Sequence, residues 1–198
     1  MPAVPSDEIE RATQALDAGE LVVYPTETVY GLGADALDAE TVASVFVAKG
    51  RSRSNPLSMA VPDLATAREY TTPTERERAF IEQFLPGPVT VVLERKSMIP
   101  DVLTAGSDRV GIRIPDHEVA LELARQAGPI TATSANVSGT GSARSVEELD
   151  DAIRDAAAVV LDGGETPGGG STVVDVEHGE IHRRGACADE IEGWLAEH

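Results

Sequence analysis

Residues 24–33 read Tyr-Pro-Thr-Glu-Thr-Val-Tyr-Gly-Leu-Gly and follow directly on the apolar run Leu21-Val22-Val23-Tyr24. That run has the length and β-branched content of a buried strand. A strand that ends in hydroxyls, a carboxylate and glycines poses the question of what those groups hold.

Working outward, the pattern alternates helices and strands. Ser6, Asp7 and Glu8 open a helix that runs to about Ala18 and stops at Gly19. After the threonine loop, a helix is expected over 38–49, with Val42, Val45 and Phe46 on one face and Gly50 at its end. Leu57 to Val61 reads as a strand. Thr72-Pro73-Thr74-Glu75 reads as a capping box with proline at the first helical position, opening a helix to about Phe84. Strands are expected at 88–94, 109–114 and 130–133, with a helix at 117–127 between the last two. Ser145 with Glu148 is read as the cap of a single helix over 146–156. Strands at 158–161, 171–176 and 180–183 complete the set, and a short helical tail occupies 187–198. Interleaved helices and strands imply an α/β sheet covered by helices, and the close succession of strands near 88–114 and 171–183 makes it mixed. One domain over 1–186 is expected.

Composition narrows the function classes. The 198-residue chain carries 34 acidic against 16 basic residues, a formal net charge of −18, and only the lysines Lys49 and Lys96. The carboxylates are spread along the chain rather than blocked into a tail. With lysine depleted as well, the balance points to adaptation to very high salt, and it excludes tight, non-specific binding to a polyanion. One cysteine, Cys187, excludes an internal disulfide and a cysteine-only metal site. No apolar run of spanning length occurs and no leader precedes Ser6, so a cytoplasmic protein without a membrane partner is expected. His117, His178, His182 and His198 lack metal-ligand spacing and read as surface histidines. Neither GxxxxGK[ST] nor GxGxxG after a strand is present.

Three segments could carry chemistry. Lys49-Gly50-Arg51 ends a helix; cations there interact favourably with the helix dipole, worth only about 0.3–1 kcal/mol. In so acidic a chain, one of two lysines placed beside Arg51 and Arg53 also makes a local positive focus suited to an anion. Residues 133–142, Thr-Ser-Ala-Asn-Val-Ser-Gly-Thr-Gly-Ser, read either as a solvated turn or as a cradle of hydroxyls and backbone N–H groups. The glycine run 163–170 is either a flexible connector or a lid.

Together the stretches 24–33, Ala-Lys-Gly-Arg (48–51), Asn-Pro-Leu (55–57), Phe-Leu-Pro-Gly-Pro-Val-Thr (84–90), Val-Gly-Ile-Arg-Ile-Pro (110–115), Thr-Ser-Ala-Asn-Val-Ser-Gly (133–139) and Gly-Gly-Ser-Thr-Val-Val-Asp (169–175) resemble the YrdC/TsaC family of L-threonylcarbamoyladenylate synthases. The likeness runs from about Asp7 to Gly185 with the motifs in the family's order, and looks like the single-domain form. It implies a twisted, open mixed sheet around a deep cavity, and a nucleotidyltransferase reaction. L-threonine, bicarbonate and ATP, with Mg²⁺, would give threonylcarbamoyl-AMP and pyrophosphate, and a separate threonylcarbamoyl-transferase complex would use the product on tRNA. Carried over by motif, Lys49, Arg51, Ser134 and Asn136 fall on the triphosphate, bicarbonate and ATP. Thr28, Arg113, Ala132 and Ser171 fall on the threonine side, and Asn55, Ser142 and Arg183 join Arg51 and Ser134 on the nucleotide side. No side chain is implied as a metal ligand. Gly31 and Gly33 are expected to let backbone approach the amino acid closely.

The chain departs from the family's pattern at Ala60, where a histidine is common, and at Arg184, where Arg-Pro-Gly reads Arg183-Arg184-Gly185. A hydrogenase-maturation carbamoyltransferase would bring zinc motifs, and no CxxC occurs. A non-enzymatic RNA-binding or ribosome-associated module is the binding-class alternative.

Overall fold

A computed structural model describes residues 4–198. In chain order the elements are α1 (Ser6–Asp17), β1 (Leu21–Tyr24), β2 (Gly31–Gly33), α2 (Ala39–Lys49), β3 (Ser58–Ala60), α3 (Leu64–Tyr70), α4 (Glu75–Phe84), β4 (Val89–Glu94), α5 (Asp101–Thr104), β5 (Arg109–Arg113), α6 (Glu118–Ala127), β6 (Ile130–Ser134), a 3-10 turn (Val146–Glu148), α7 (Asp151–Ala156), β7 (Ala157–Val160), β8 (Thr172–Asp175), β9 (Glu180–Arg183) and α8 (Ala188–Glu197). The strands form one nine-stranded sheet in the order β7-β1-β2-β6-β3-β5-β4-β8-β9. The pairs β1/β7, β3/β5 and β4/β8 are parallel and the remaining five are antiparallel, so the sheet is mixed as expected. Among the described residues no helix is long and apolar enough to cross a membrane.

Helices cover the sheet through apolar stripes. One large cluster joins Val45 and Phe46 of α2, Phe80 of α4, Met59 and Ile112 of the sheet, and Trp194 of α8. A smaller one packs Ala12 and Leu16 of α1 and Leu123 of α6 against Val22 of β1. Each fully buried leucine or isoleucine contributes about 1.5–3 kcal/mol by leaving water. The C-terminal helix takes part in this core: Trp194 meets Phe80 edge-on at 5.0 Å, and Ile191 is fully buried.

Local signals place most boundaries. Asp38 caps α2 by accepting from the Glu40 N–H at 2.8 Å, and Gly50 closes it in the left-handed region at φ 57°. Other details differ from expectation. Ser6 is the first helical residue of α1, behind Pro5, and makes no cap. The capping box of α4 is formed by Thr74 and Glu77, two residues beyond the one expected, because Glu77 is also held in place by the Arg109 guanidinium at 3.1 Å. The single helix expected over 146–156 is broken at Leu149, which is extended (ψ 131°). The break frees the Asp150 carboxylate to accept from Val137 N at 2.7 Å and from Thr140 Oγ1 at 3.0 Å. Ser145 makes no side-chain cap, and Glu148 instead accepts from Arg144 N. Strand β2 and helices α3 and α5 were not legible in the sequence pattern.

Candidate functional site

The concave face of the sheet walls a cavity of about 820 Å³. Because strand side chains alternate faces, Arg109, Gly111 and Arg113 of β5 all turn towards it, as do Ser58 and Ala60 of β3 and Ala132 and Ser134 of β6. Gly111 is required there: a Cβ would stand 2.5 Å from Ser58 Oγ and 2.9 Å from Thr90 Cγ2.

The loop after β1 forms one end of the cavity. Thr26 Oγ1 donates to Val29 O at 2.7 Å and accepts from Thr28 N at 3.2 Å, so this hydroxyl holds the turn itself. Thr28 forms part of the wall, and its Oγ1 accepts from Arg113 Nη2 at 2.8 Å. The same nitrogen donates to Glu27 Oε1 at 2.9 Å. Gly31 is part of the cavity wall and Gly33 is not. Their missing side chains make room for the Tyr24 ring, which a Cβ on Gly31 would meet at 2.7 Å and one on Gly33 at 3.1 Å. The Tyr24 hydroxyl donates to Thr131 O at 3.0 Å, and burial pushes its ionisation far above the ordinary tyrosine value.

The glycine run 163–170 crosses this loop as a strap. The Tyr30 hydroxyl donates to Gly164 O at 2.7 Å and accepts from Gly163 N at 3.0 Å; burial first, then the Asp162 carboxylate, lifts its pKa to about 12 against the opposing pull of the Gly163 N–H. Gly168 N donates to Thr28 O at 2.7 Å, and the buried Thr166 donates from its N–H to Arg144 O, also at 2.7 Å.

At the other end lie the cations. Arg51 donates to Asn55 O and Pro56 O, each at 3.0 Å, and burial holds its pKa below the usual arginine range. Arg183 donates to Ser171 O at 3.0 Å and to Ser171 Oγ at 2.8 Å. Its pKa is lowered by partial burial first, then by the like charges of Arg113 and Arg51, which places all three guanidiniums around one space. Arg51 and Arg183 have no carboxylate partner among the described residues, whereas Arg113 has Glu27 and Arg109 has Glu77, Asp175 and Glu177.

Of the residues singled out by sequence, Thr28, Arg51, Asn55, Arg113, Ala132, Ser134, Ser142, Ser171 and Arg183 line the cavity together. Lys49 and Asn136 stand behind it. Lys49 is 1% exposed and its ammonium donates to the carbonyls of Ser134 and Asn136, the latter at 2.7 Å. Burial, followed by the Arg51 charge, pushes its pKa down to about 8. Asn136 donates through Nδ2 to Val137 O at 2.7 Å and Thr140 O at 3.1 Å, while its Oδ1 is buried without a partner among the described residues. Sequence reasoning missed Glu27, Asp150, Tyr30 and the Arg109–Asp175 pair. Only Glu27 carried a signal, being the one carboxylate in the 24–33 stretch.

Against known proteins, the Sua5, YciO and YrdC family model, described as "Telomere recombination", matches residues 14–185. The chain belongs to the Sua5/YciO/YrdC family. Among family members, threonylcarbamoyl-AMP synthase of Pyrococcus abyssi is 40% identical over 172 residues, 85% of this chain and 51% of the relative. Threonylcarbamoyl-AMP synthase of Bacillus subtilis is 39% identical over 191 residues, 93% of this chain and again 51% of the relative. This chain thus spans about half the length of these two family members. The crystal structure of P. abyssi Sua5 complexed with L-threonine superposes with a TM-score of 0.92 at 37% identity, covering 99% of this chain and 59% of that one. The twisted mixed sheet with its covering helices is therefore the Sua5/YrdC fold.

Proposed function

We propose that the chain is a nucleotidyltransferase that forms threonylcarbamoyl-AMP and pyrophosphate from L-threonine, bicarbonate and ATP. The observation that carries this reading is a pair of cavity guanidiniums, Arg51 and Arg183, left without carboxylates in a protein of net charge −18. Such a focus suits a polyanionic ligand. The relatives' name and the threonine-bound Sua5 structure support the choice of substrates.

The chemistry asks for charge neutralisation and alignment rather than for a nucleophilic side chain. Threonine's ammonium group gives up a proton, and the free amine takes up bicarbonate with loss of water; a carbamate oxygen then attacks the α-phosphorus, and pyrophosphate leaves with the P–O bond electrons. Both reacting partners are anions, so fixed cations and positioning carry the step. On this reading Arg113, with Thr28, Ser171 and the Ala132 backbone, takes threonine, since a guanidinium can pair bidentately with its carboxylate. Arg51, Asn55, Ser134, Ser142 and Arg183 take the nucleotide. Lys49 and Asn136 set the loop that presents Ser134.

Among the described residues no group of three or more His, Cys, Asp or Glu is placed to hold a metal, and the cavity's Asp175 is already paired with Arg109 at 3.1 Å. The lining therefore fits a Mg²⁺ that arrives on the phosphate oxygens of ATP rather than one held by carboxylates. The product would pass to a threonylcarbamoyl-transferase complex acting on tRNA, in the cytoplasm of a salt-adapted cell, without stable nucleic-acid binding by this chain. The test is pyrophosphate release from ATP. Dependence on both threonine and bicarbonate is the expected result, and release indifferent to either substrate sinks the proposal.

A further inference from the structure

Glu27 lies outside the cavity lining although its neighbour Thr28 is part of it. Its carboxylate grips Arg113 from behind, through Oε1 and Nη2 at 2.9 Å, and both side chains are only 12–13% exposed. In such surroundings a charge-assisted hydrogen bond is strong and directional. Arg113 Nε is buried without a partner among the described residues, and so is Glu27 Oε2. The orientation of the guanidinium therefore rests on one nitrogen, Nη2, shared between Glu27 Oε1 and Thr28 Oγ1 at 2.8 Å. Without Glu27 only the neutral hydroxyl contact would remain, while the like charge of Arg183, whose own pKa Arg113 lowers, would still push on the group. A buried ion pair adds little net stability over apolar packing of the same volume, so the place to look for its value is what it orients.

We infer that Glu27 is a positioning residue for amino-acid binding. It turns Arg113 so that the free part of the guanidinium meets the substrate carboxylate, and it serves the threonine half of the site rather than the nucleotide half. The inference rests on the reading of Arg113 and Thr28 as the threonine subsite.

The experiment compares wild type, Glu27→Ala and Glu27→Gln by steady-state pyrophosphate release and by calorimetric titration with L-threonine alone. For side chains that hold a metal, removing the partner that orients them typically costs about 10–100-fold in affinity or activity, and an arginine oriented in the same way is expected to respond on that scale. Glu27→Ala is expected to raise the threonine KM and Kd by that factor, with ATP KM and kcat at saturating threonine within about two-fold. Glu27→Gln keeps an oxygen acceptor at the same reach, so it should recover most of the loss. A threonine KM unchanged in both variants, an equal rise in the KM for ATP, or an equal loss in Gln and Ala overturns the positioning role. Should Glu27→Ala fail to fold, the near-isosteric Glu27→Gln carries the test alone: a threonine-specific rise of a few-fold supports the role, and unchanged or uniformly raised KM values refute it. Wild type that neither binds threonine nor releases pyrophosphate would instead remove the functional reading beneath it.

Discussion

The Lys49 ammonium stands 2.7 Å from the carbonyl oxygen of Asn136 and also donates to the carbonyl of Ser134, bridging both sides of a loop whose other face forms the cavity wall. The lysine thus reaches the proposed chemistry through backbone it holds in place. Stability and activity should fall together on its loss. Lys49→Ala strips buried carbonyls of their donor, which costs about 1–3 kcal/mol per unsatisfied group. It should also lower threonine-dependent pyrophosphate release by about 10²–10³, the typical effect of losing one preorganised electrostatic group. Lys96 donates to Arg68 O at 2.6 Å on the surface, and Lys96→Ala should shift stability by no more than about 0.5 kcal/mol. Denaturant midpoints and turnover of the two variants decide the matter; similar activities would remove Lys49 and its loop from the mechanism.

The same burial makes stability depend on alkaline pH in a predictable direction. Lys49 titrates near 8 in the folded chain against 10.5 for an ordinary lysine. Between those values the unfolded chain binds more protons at this residue than the folded one, so stability rises with pH. The penalty of burying the charge is fully present below about pH 8 and is relieved as pH climbs towards the ordinary lysine value. The slope cannot exceed about 1.4 kcal/mol per pH unit. Other groups titrate in this range, so the measurement is the difference between wild type and Lys49→Met in urea midpoints from pH 7 to 10.5. A flat difference would mean that the ammonium is not held below its usual range.

Gly31 offers a test of the sheet beneath the site. Its Cα lies under the Tyr24 ring so closely that an added methyl would stand 2.7 Å from the ring, and neither β1 nor β2 can move without breaking their ladder. Overpacking of this kind costs about 1–3 kcal/mol. Gly31→Ala should lower the melting temperature, whereas Gly141→Ala, where nothing lies within 4 Å of the added group and φ is ordinary, should leave it nearly unchanged. Equal melts would show that the ring has freedom to retreat.

These relationships mark where sequence reasoning stops. Strand β1 was legible because four apolar residues need burial wherever they go, and α2 because Asp38 and Gly50 punctuate it locally. Strand β2, Gly-Leu-Gly, has no strand propensity of its own; it is a strand because the Tyr24 ring needs flat backbone beside it. The capping box of α4 was misplaced for a similar reason, since the choice between Glu75 and Glu77 is made by Arg109, distant in sequence. In the site, Tyr30, Arg109 and Asp175 of the cavity lining went unread, while Thr28, Arg51, Asn55, Arg113, Ser134, Ser142, Ser171 and Arg183 were legible through their motifs. Those acting from behind it, Glu27 and Asp150, were not, because a carboxylate facing backbone or a guanidinium reads in sequence like any solvated one.

Salt should govern folding. A net charge of −18 on 198 residues disfavours the compact state by self-repulsion, and molar salt shortens the screening length to about 3 Å. The melting temperature is therefore expected to rise steeply between 0.1 and 2 M KCl. The buried Glu27–Arg113 and Arg109 pairs are screened far less than surface charges, so the response should be smooth with added salt rather than reversed by their weakening. A melt that is indifferent to KCl would dismiss salt adaptation as the reason for the acidic composition.

Amino-acid choice tests the Thr28 end of the cavity. A pocket that hydrogen-bonds a hydroxyl rejects an analogue lacking it by about 10⁴–10⁵, because its own polar groups are then left unpaired, whereas one missing methylene is worth only about 10–200-fold. The Thr28 hydroxyl already accepts from Arg113, and the Ser171 hydroxyl is held between Arg183 at 2.8 Å and Thr90 at 3.3 Å, so both are fixed before any ligand arrives. Fixed hydroxyls cannot turn aside for an apolar group. Serine should thus support slow pyrophosphate release and valine almost none, measured at equal concentrations with bicarbonate and ATP saturating. Equal rates with valine and threonine would place amino-acid recognition elsewhere than at Thr28 and Ser171.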